Sequence, residues 1–160
     1  GWWGERGGAA DGFMVGEGEE GCRSDDEGAT WTAVGGLTTS LDVRDLVPLG
    51  DDAQTVLVYG TSGNQSQLYD STDLGLSFNL RWSLAPAWDG GLWVPRVGAG
   101  AGTDVYLLHP RQLLRSTTGG SGFLEVGTVP GSGGEGRLTG SAAGPPTLYV
   151  MLRPTASCNR

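Results

Sequence analysis

Lysine is absent from this chain, histidine occurs once and cysteine twice in 160 residues. The ten basic residues are therefore all arginines, set against 18 carboxylates for a formal net charge of −8. An acidic chain with scattered arginines is a poor partner for nucleic acid or an anionic membrane surface. No apolar run is long enough to span a bilayer. The lone His109 stands before Pro110 at the end of an apolar run and reads as a loop residue. No other His or Cys lies at metal-ligand spacing from it, so neither a metal nor a cofactor is expected. The glycine-rich stretches 97–104 and 130–136 lack the lysine and following helix of a phosphate loop. No G-x-S-x-G stands before a helix. Cys22 and Cys158 allow at most one disulfide and do not fix the compartment. The chain starts at Gly1 with no Met and no visible signal peptide, which implies processing or a piece of something longer.

What is present is glycine, at 30 residues the commonest type, together with six Trp, four Tyr and three Phe. Frequent glycine between short apolar runs points to many tight turns and an all-β chain. The length suits one domain with a real core.

The organisation comes from a repeat. SDDEGATW at 24–31 matches STDLGLSF at 71–78 and, more loosely, STTGGSGF at 116–123. Each copy opens on Ser, has Gly at the fifth place and ends in a large aromatic. An apolar run precedes each copy (12–18, 55–63, 104–110) and a short strand-like run follows. An outer segment, as at 41–50 and 92–102, leads to the next copy. Each unit thus holds about four short strands, the size of one propeller blade. The approximate units are 1–40, 41–86, 87–131 and an incomplete 132–160, which together form a single partial propeller of about three and a half blades.

The octamers resemble the Asp-box, or BNR repeat, S/T-x-D-x-G-x-T/S-W/F. The first copy fits at Ser24, Asp26, Gly28, Thr30 and Trp31, the second at Ser71, Asp73, Gly75, Ser77 and Phe78. The third keeps Ser116, Gly120 and Phe123, but Thr118 replaces the Asp and Gly122 the Thr or Ser. The resemblance implies a propeller of the kind found in sialidases, sortilin and photosystem assembly factors. It also implies a structural turn placed away from any active site.

Physical chemistry gives the same role. A short Asp side chain can accept hydrogen bonds from turn N–H groups that lack strand partners. Gly at the fifth place permits a conformation that a Cβ penalises, and the closing aromatic can pack between sheets. A calcium loop is the competing reading of DDEG, but the spaced ligands and the distal Glu are missing. Asp25 and Glu27 do not recur in later copies and read as solvated charges.

TLYVMLRP at 147–154 parallels 55–63 and 104–110, so a fourth box is expected just past Arg160. Propellers close with four to eight blades. The chain is therefore expected to be a fragment, or to be completed by other chains. Cys22 and Cys158 occupy similar places in blades one and four, too far apart in such a ring to pair.

A sialidase-like site needs three arginines around a carboxylate, a Tyr nucleophile with a Glu, and an Asp acid. Arg44, Arg96 and Arg153 lie near apolar strands, and the tyrosines are Tyr59, Tyr69, Tyr106 and Tyr149, but nothing in the sequence orders them into a set. No catalytic residue is assigned. Trp88 and Trp93 flank the turn DGGL and are the candidates for surface binding. The expectation is a non-enzymatic binding or assembly scaffold in a secreted, periplasmic or cell-surface bacterial protein. Its partners would be the chains or blades that complete the ring, with a glycan or protein ligand and no membrane insertion. The alternatives are part of a sialidase-like glycoside hydrolase and a photosystem-assembly-factor-like propeller.

Overall fold

The computed structural model describes residues 2–5, 12–15, 21–49, 54–95, 103–130, 135–141 and 146–153. Cys158 and Arg96, and with them the cysteine pairing, lie outside the described residues. The described residues are all-β. The first sheet holds β1 (Trp2–Glu5), β2 (Gly12–Val15), β3 (Gly21–Ser24) and β4 (Thr32–Ala33), and the second β5 (Asp42–Leu49), β6 (Thr55–Ser62), β7 (Gln65–Ser71) and β8 (Asn79–Leu84). The third holds β9 (Leu92–Trp93), β10 (Val105–His109), β11 (Gln112–Ser116) and β12 (Leu124–Thr128), and a two-stranded sheet pairs β13 (Gly136–Ser141) with β14 (Thr147–Leu152). Every pairing is antiparallel between strands adjacent in sequence. Each octamer joins the third and fourth strands of its sheet.

The second strands show why the sheets stack. In β6, Val56 and Val58 turn to one side and Leu57 and Tyr59 to the other, and all four are buried. In β10, Val105 and Leu107 oppose Tyr106 and Leu108 in the same way. A continuous apolar run is what a strand covered on both faces requires. Among the described residues three apolar seams result. Val56, Val58, Tyr69 and Phe78 meet Val34, Leu37 and Leu41 from the exit of the first sheet. Leu57, Tyr59 and Leu68 meet Leu92, Val105 and Leu107. Tyr106 and Leu108 meet Leu138, Leu148, Val150 and Leu152. Each fully buried side chain of this size contributes roughly 1.5–3 kcal/mol relative to exposure.

The first seam is also sewn by backbone. Gly35 N donates to the Leu76 carbonyl at 3.1 Å, and Phe78 N donates to the Gly35 carbonyl at 2.9 Å, forming a parallel bridge from Gly35 to Ser77. Gly36, with φ of 87°, lies so close that a Cβ there would sit 2.0 Å from the Phe78 carbonyl oxygen. The first strands β5, β9 and β13 run beside one another, as strands do around the channel of a propeller.

Candidate functional site

Two constructions are built from polar side chains. The first is the octamer turn. Ser24 Oγ donates to Asp26 Oδ1 at 2.8 Å and accepts from Gly28 N at 2.8 Å. The same carboxylate accepts from Thr30 N at 2.8 Å and from Thr30 Oγ1 at 2.6 Å. The second copy repeats this through Ser71, Asp73, Gly75 and Ser77, at 2.6–2.9 Å. Donors converging on one carboxylate favour its charged form. The Thr30 or Ser77 hydroxyl contributes most, and Asp26 and Asp73 are each lowered to about 2. In the third copy Gly120 N still donates to Ser116 Oγ at 3.0 Å, while Ser121 Oγ reaches Thr118 Oγ1 at 2.9 Å in place of the carboxylate network.

The fourth and fifth places of every copy are left-handed: Glu27 and Gly28, Leu74 and Gly75, Gly119 and Gly120. A leucine at φ of 61° is strained, and the network around Asp73 holds it there. The closing aromatics differ. Phe78 is buried in the first seam, Phe123 lies 5.1 Å from Trp82, and Trp31 folds back to donate from Nε1 to the Gly28 carbonyl at 3.1 Å.

The second construction is the strap 85–91, which carries the chain from β8 to β9. It begins with a cis Ala85–Pro86 bond. His109 Nε2 lies 3.0 Å from the Pro86 carbonyl, Trp88 N donates to Ser66 Oγ at 3.0 Å, and Tyr59 donates to the Trp88 carbonyl at 2.8 Å. Tyr59 has one proton and the carbonyl only accepts, so the 3.0 Å contact between Tyr59 and Ser66 leaves the Ser66 hydroxyl to donate. Tyr59 is fully buried, and that burial pushes its hydroxyl up to about 12. By the same logic the Pro86 carbonyl fixes the proton of His109 on Nε2 and leaves Nδ1 bare. Nδ1 is buried without a hydrogen-bond partner. Burial lowers the His109 pKa, and the Pro86 bond opposes it. Gly90 runs so close to β10 that a Cβ would meet the Leu108 carbonyl oxygen at 1.9 Å.

The strap delivers Asp89 to a cleft of about 170 Å³ lined by Arg44, Asp89, Glu135, Arg137, Met151 and Arg153 and floored by Gly90 and Gly136. Arg44 is the extra residue of a β-bulge, since Val43 pairs with Gly60 and Asp45 with Tyr59. Bulges re-aim side chains in this way. Arg44 lies 2.8 Å from Asp89 and 2.6 Å from Asp42. Arg137 Nη1 donates to the Arg44 carbonyl at 2.9 Å, and Arg153 pairs with Glu135 at 2.9 Å. Behind them Asp45 accepts from Leu92 N and Leu46 N, both at 2.9 Å. Burial raises its pKa against those two bonds and the charge of Arg137. The cleft therefore presents three guanidinium groups and two carboxylates, Asp89 and Glu135, each carboxylate paired with an arginine.

In the sequence Arg44 and Arg153 are scattered among the arginines, with nothing to order them into a set. The structure brings both into one cleft, with Arg137. His109 is buried in β10 rather than placed in a loop. DGGL is not a surface turn, since Gly90, Gly91 and Leu92 are buried. Trp88 and Trp93 are half-buried, with Trp93 5.4 Å from the Tyr106 ring and laid across Gly140. No local pattern traces the strap, because its course rests on contacts to strands far away in sequence. Its one local signal is the Gly90–Gly91 pair where a turn was expected. Among the described residues no group of three or more His, Cys, Asp or Glu is placed to hold a metal, and no helix is long and apolar enough to cross a membrane.

Stacked four-stranded antiparallel sheets with first strands side by side define part of a β-propeller. Solved structures agree. An ancestral GH74 enzyme superposes with a TM-score of 0.61 at 16% identity, over 86% of this chain and 19% of its own. The Niastella koreensis GH74 enzyme gives 0.51 at 26% identity, over 77% of this chain and 17% of its own. YCF48 bound to a D1 peptide gives 0.51 at 17% identity, over 72% of this chain and 36% of its own. The chain thus spans about a fifth of the GH74 enzymes and about a third of YCF48. No protein-family model and no curated protein matches it.

Proposed function

We propose that this chain is a non-enzymatic segment of a larger β-propeller, a binding or assembly scaffold in a secreted, periplasmic or cell-surface bacterial protein. The supporting observation is how the cleft's carboxylates are held. Asp89 is paired with Arg44 and Glu135 with Arg153, and behind the cleft Asp45 is held by two backbone N–H groups. Glycoside hydrolysis needs one carboxyl group poised as an acid and another free to attack or to activate water. A carboxylate already paired with an arginine suits recognition of a polar partner. The octamers are Asp-boxes in this reading, and their carboxylates are structural. The repeat units 1–40, 41–86, 87–131 and 132–160 are its blades. A protein ligand is in keeping with YCF48, a propeller solved with a peptide bound.

The second reading, part of a glycoside hydrolase, draws on the 26% identity to the Niastella koreensis GH74 enzyme. The test is hydrolysis of a panel of plant and bacterial polysaccharides by the protein that carries this segment. No turnover is expected, with unchanged results for Asp89→Asn and Glu135→Gln. Turnover abolished by either substitution would establish the second reading.

A further inference from the structure

The strap 85–91 is held differently in its two halves. The second half is fixed by backbone, since Gly136 N donates to the Asp89 carbonyl at 2.9 Å and Leu108 N to the Gly91 carbonyl at 3.0 Å. Among the described residues the first half, 85–88, makes no backbone hydrogen bond to a strand. Three side chains hold it instead: Ser66 accepts from Trp88 N, Tyr59 donates to the Trp88 carbonyl, and His109 donates to the Pro86 carbonyl. Ala85 and Pro86 are exposed, and Ala87 and Trp88 are half-buried. Little apolar surface keeps this half down, so its hydrogen bonds decide whether it stays. Of the three anchors, His109 alone changes charge within the physiological pH range.

His109 alternates with Val105 and Leu107 onto the face of β10 that meets the second sheet, and it is 1% exposed. Its neutral form is satisfied there. A second proton goes to Nδ1, which is buried without a partner. Nor do the surrounding elements supply a counterion. β8 presents the Trp82 ring, nearly perpendicular at 6.3 Å, and β11 places Gln112 opposite. Asp70 pairs with Arg81 and Asp89 with Arg44, Glu125 accepts from Gln112, and Arg111 donates to the Val129 carbonyl. Among the described residues no carboxylate pairs with His109. We propose that His109 is a pH-sensitive latch on the strap. Neutral, it holds the Pro86 carbonyl; protonated at Nδ1 as well, it leaves its buried site, and 85–88 lifts about Asp89 and Gly90, loosening the Asp89–Arg44 pair at the cleft. Burial favours the neutral ring, so closure is complete above about pH 6.5 and weakens as pH falls toward the lower folded value. The consequence for binding rests on the recognition reading of the cleft, and the latch itself does not.

The test follows amide hydrogen exchange by mass spectrometry in the protein that carries this segment. Protection over 85–91, corrected for the intrinsic pH dependence of exchange, should fall at least about threefold between about pH 7.5 and pH 4.5. The fall should be the same in about 1 M urea, because lifting the strap exposes little surface, whereas global unfolding responds to urea. His109→Gln keeps the donor and cannot take the charge, so it should show no fall. Tyr59→Phe keeps the histidine and removes a second anchor. It should lower protection at every pH and retain the fall, which keeps the proposal testable if His109→Gln does not fold. A flat profile in the unmodified protein overturns the latch, as does an equal fall in His109→Gln or the loss of the fall in Tyr59→Phe. So does exchange over 85–91 that accelerates with urea as steeply as exchange in β6, since the strap would then open only when the whole fold does. No ligand or polysaccharide enters the measurement, so the latch and the scaffold reading can fail separately.

Discussion

Arg81 is the extra residue at the bulge of β8, and from there its Nη2 donates to the Thr118 carbonyl of the next sheet's turn at 3.2 Å. Its other terminal nitrogen pairs with Asp70 on the neighbouring strand. One side chain thus fixes its own sheet and the third octamer. Gly119 and Gly120 pack against Leu49, Leu68 and Arg81 at the same place. Arg81→Met should cost about 1–3 kcal/mol, chiefly because the mostly buried Asp70 loses its partner. Asp70→Asn in the same background should recover part of that loss. Chemical denaturation of the two variants checks both.

The two octamer carboxylates predict an acid limb of stability. Asp26 and Asp73 titrate at about 2 in the folded chain, against about 3.9 for an unfolded aspartate. A depressed carboxylate contributes fully above the unfolded value and loses that contribution as pH falls through the folded one. Melting temperature should therefore fall between about pH 4 and pH 2. Asp73→Asn should flatten that fall, as thermal melts across the range would show.

The third turn offers the converse experiment. Thr118→Asp restores a carboxylate that Ser116 and Ser121 can address, beside the Arg81 guanidinium. Its melting temperature should rise by about 2–4 °C, the scale of one added hydrogen bond in a domain of this size. The rise should disappear below pH 2.

His109 predicts a separate limb at milder pH. Its folded pKa is depressed by burial, so it is neutral in the fold and gains a proton on unfolding. The stability that depends on its neutrality is complete above about pH 6.5 and shrinks as pH falls toward the lower folded value. His109→Gln keeps a donor toward the Pro86 carbonyl and should remove this step. Nitrogen chemical shifts should show the Nε2–H tautomer persisting at pH 6.

Two adjacent glycines should behave oppositely. Gly36→Ala meets both a left-handed φ and the Phe78 carbonyl, and should cost about 3 kcal/mol or more. A Cβ at Gly35 meets nothing within 4 Å, so Gly35→Ala should stay within about 0.5 kcal/mol. Paired urea titrations compare them directly.

The sheets were legible because the apolar runs and octamers recur in one order, and a strand follows the second octamer directly, as β8 does at Asn79–Leu84. The bulges at Arg44 and Arg81 were not legible. A bulge is a property of two strands in register, and either strand alone reads as regular. Nor did residue type mark the left-handed fourth place, since Glu27 and Leu74 are both residues that disfavour it and are held there by neighbours. The cleft joins Arg44 to Arg137, 93 positions apart, and no local pattern connects residues at that distance. A histidine before proline suits an exposed end, while the carbonyl that holds His109 comes from a strap whose course only the folded chain reveals.

The bridge from Gly35 to Ser77 has a bearing on how such a chain is made. The last edge of the first sheet is fastened by a turn at 71–78, so when β4 has been synthesised its fastener does not yet exist. A growing chain therefore carries a loose hem at Gly35 until the second sheet makes its octamer. A chain truncated after residue 60 should hold the four strands of its first sheet and still yield to protease at 32–40, where one truncated beyond residue 80 resists.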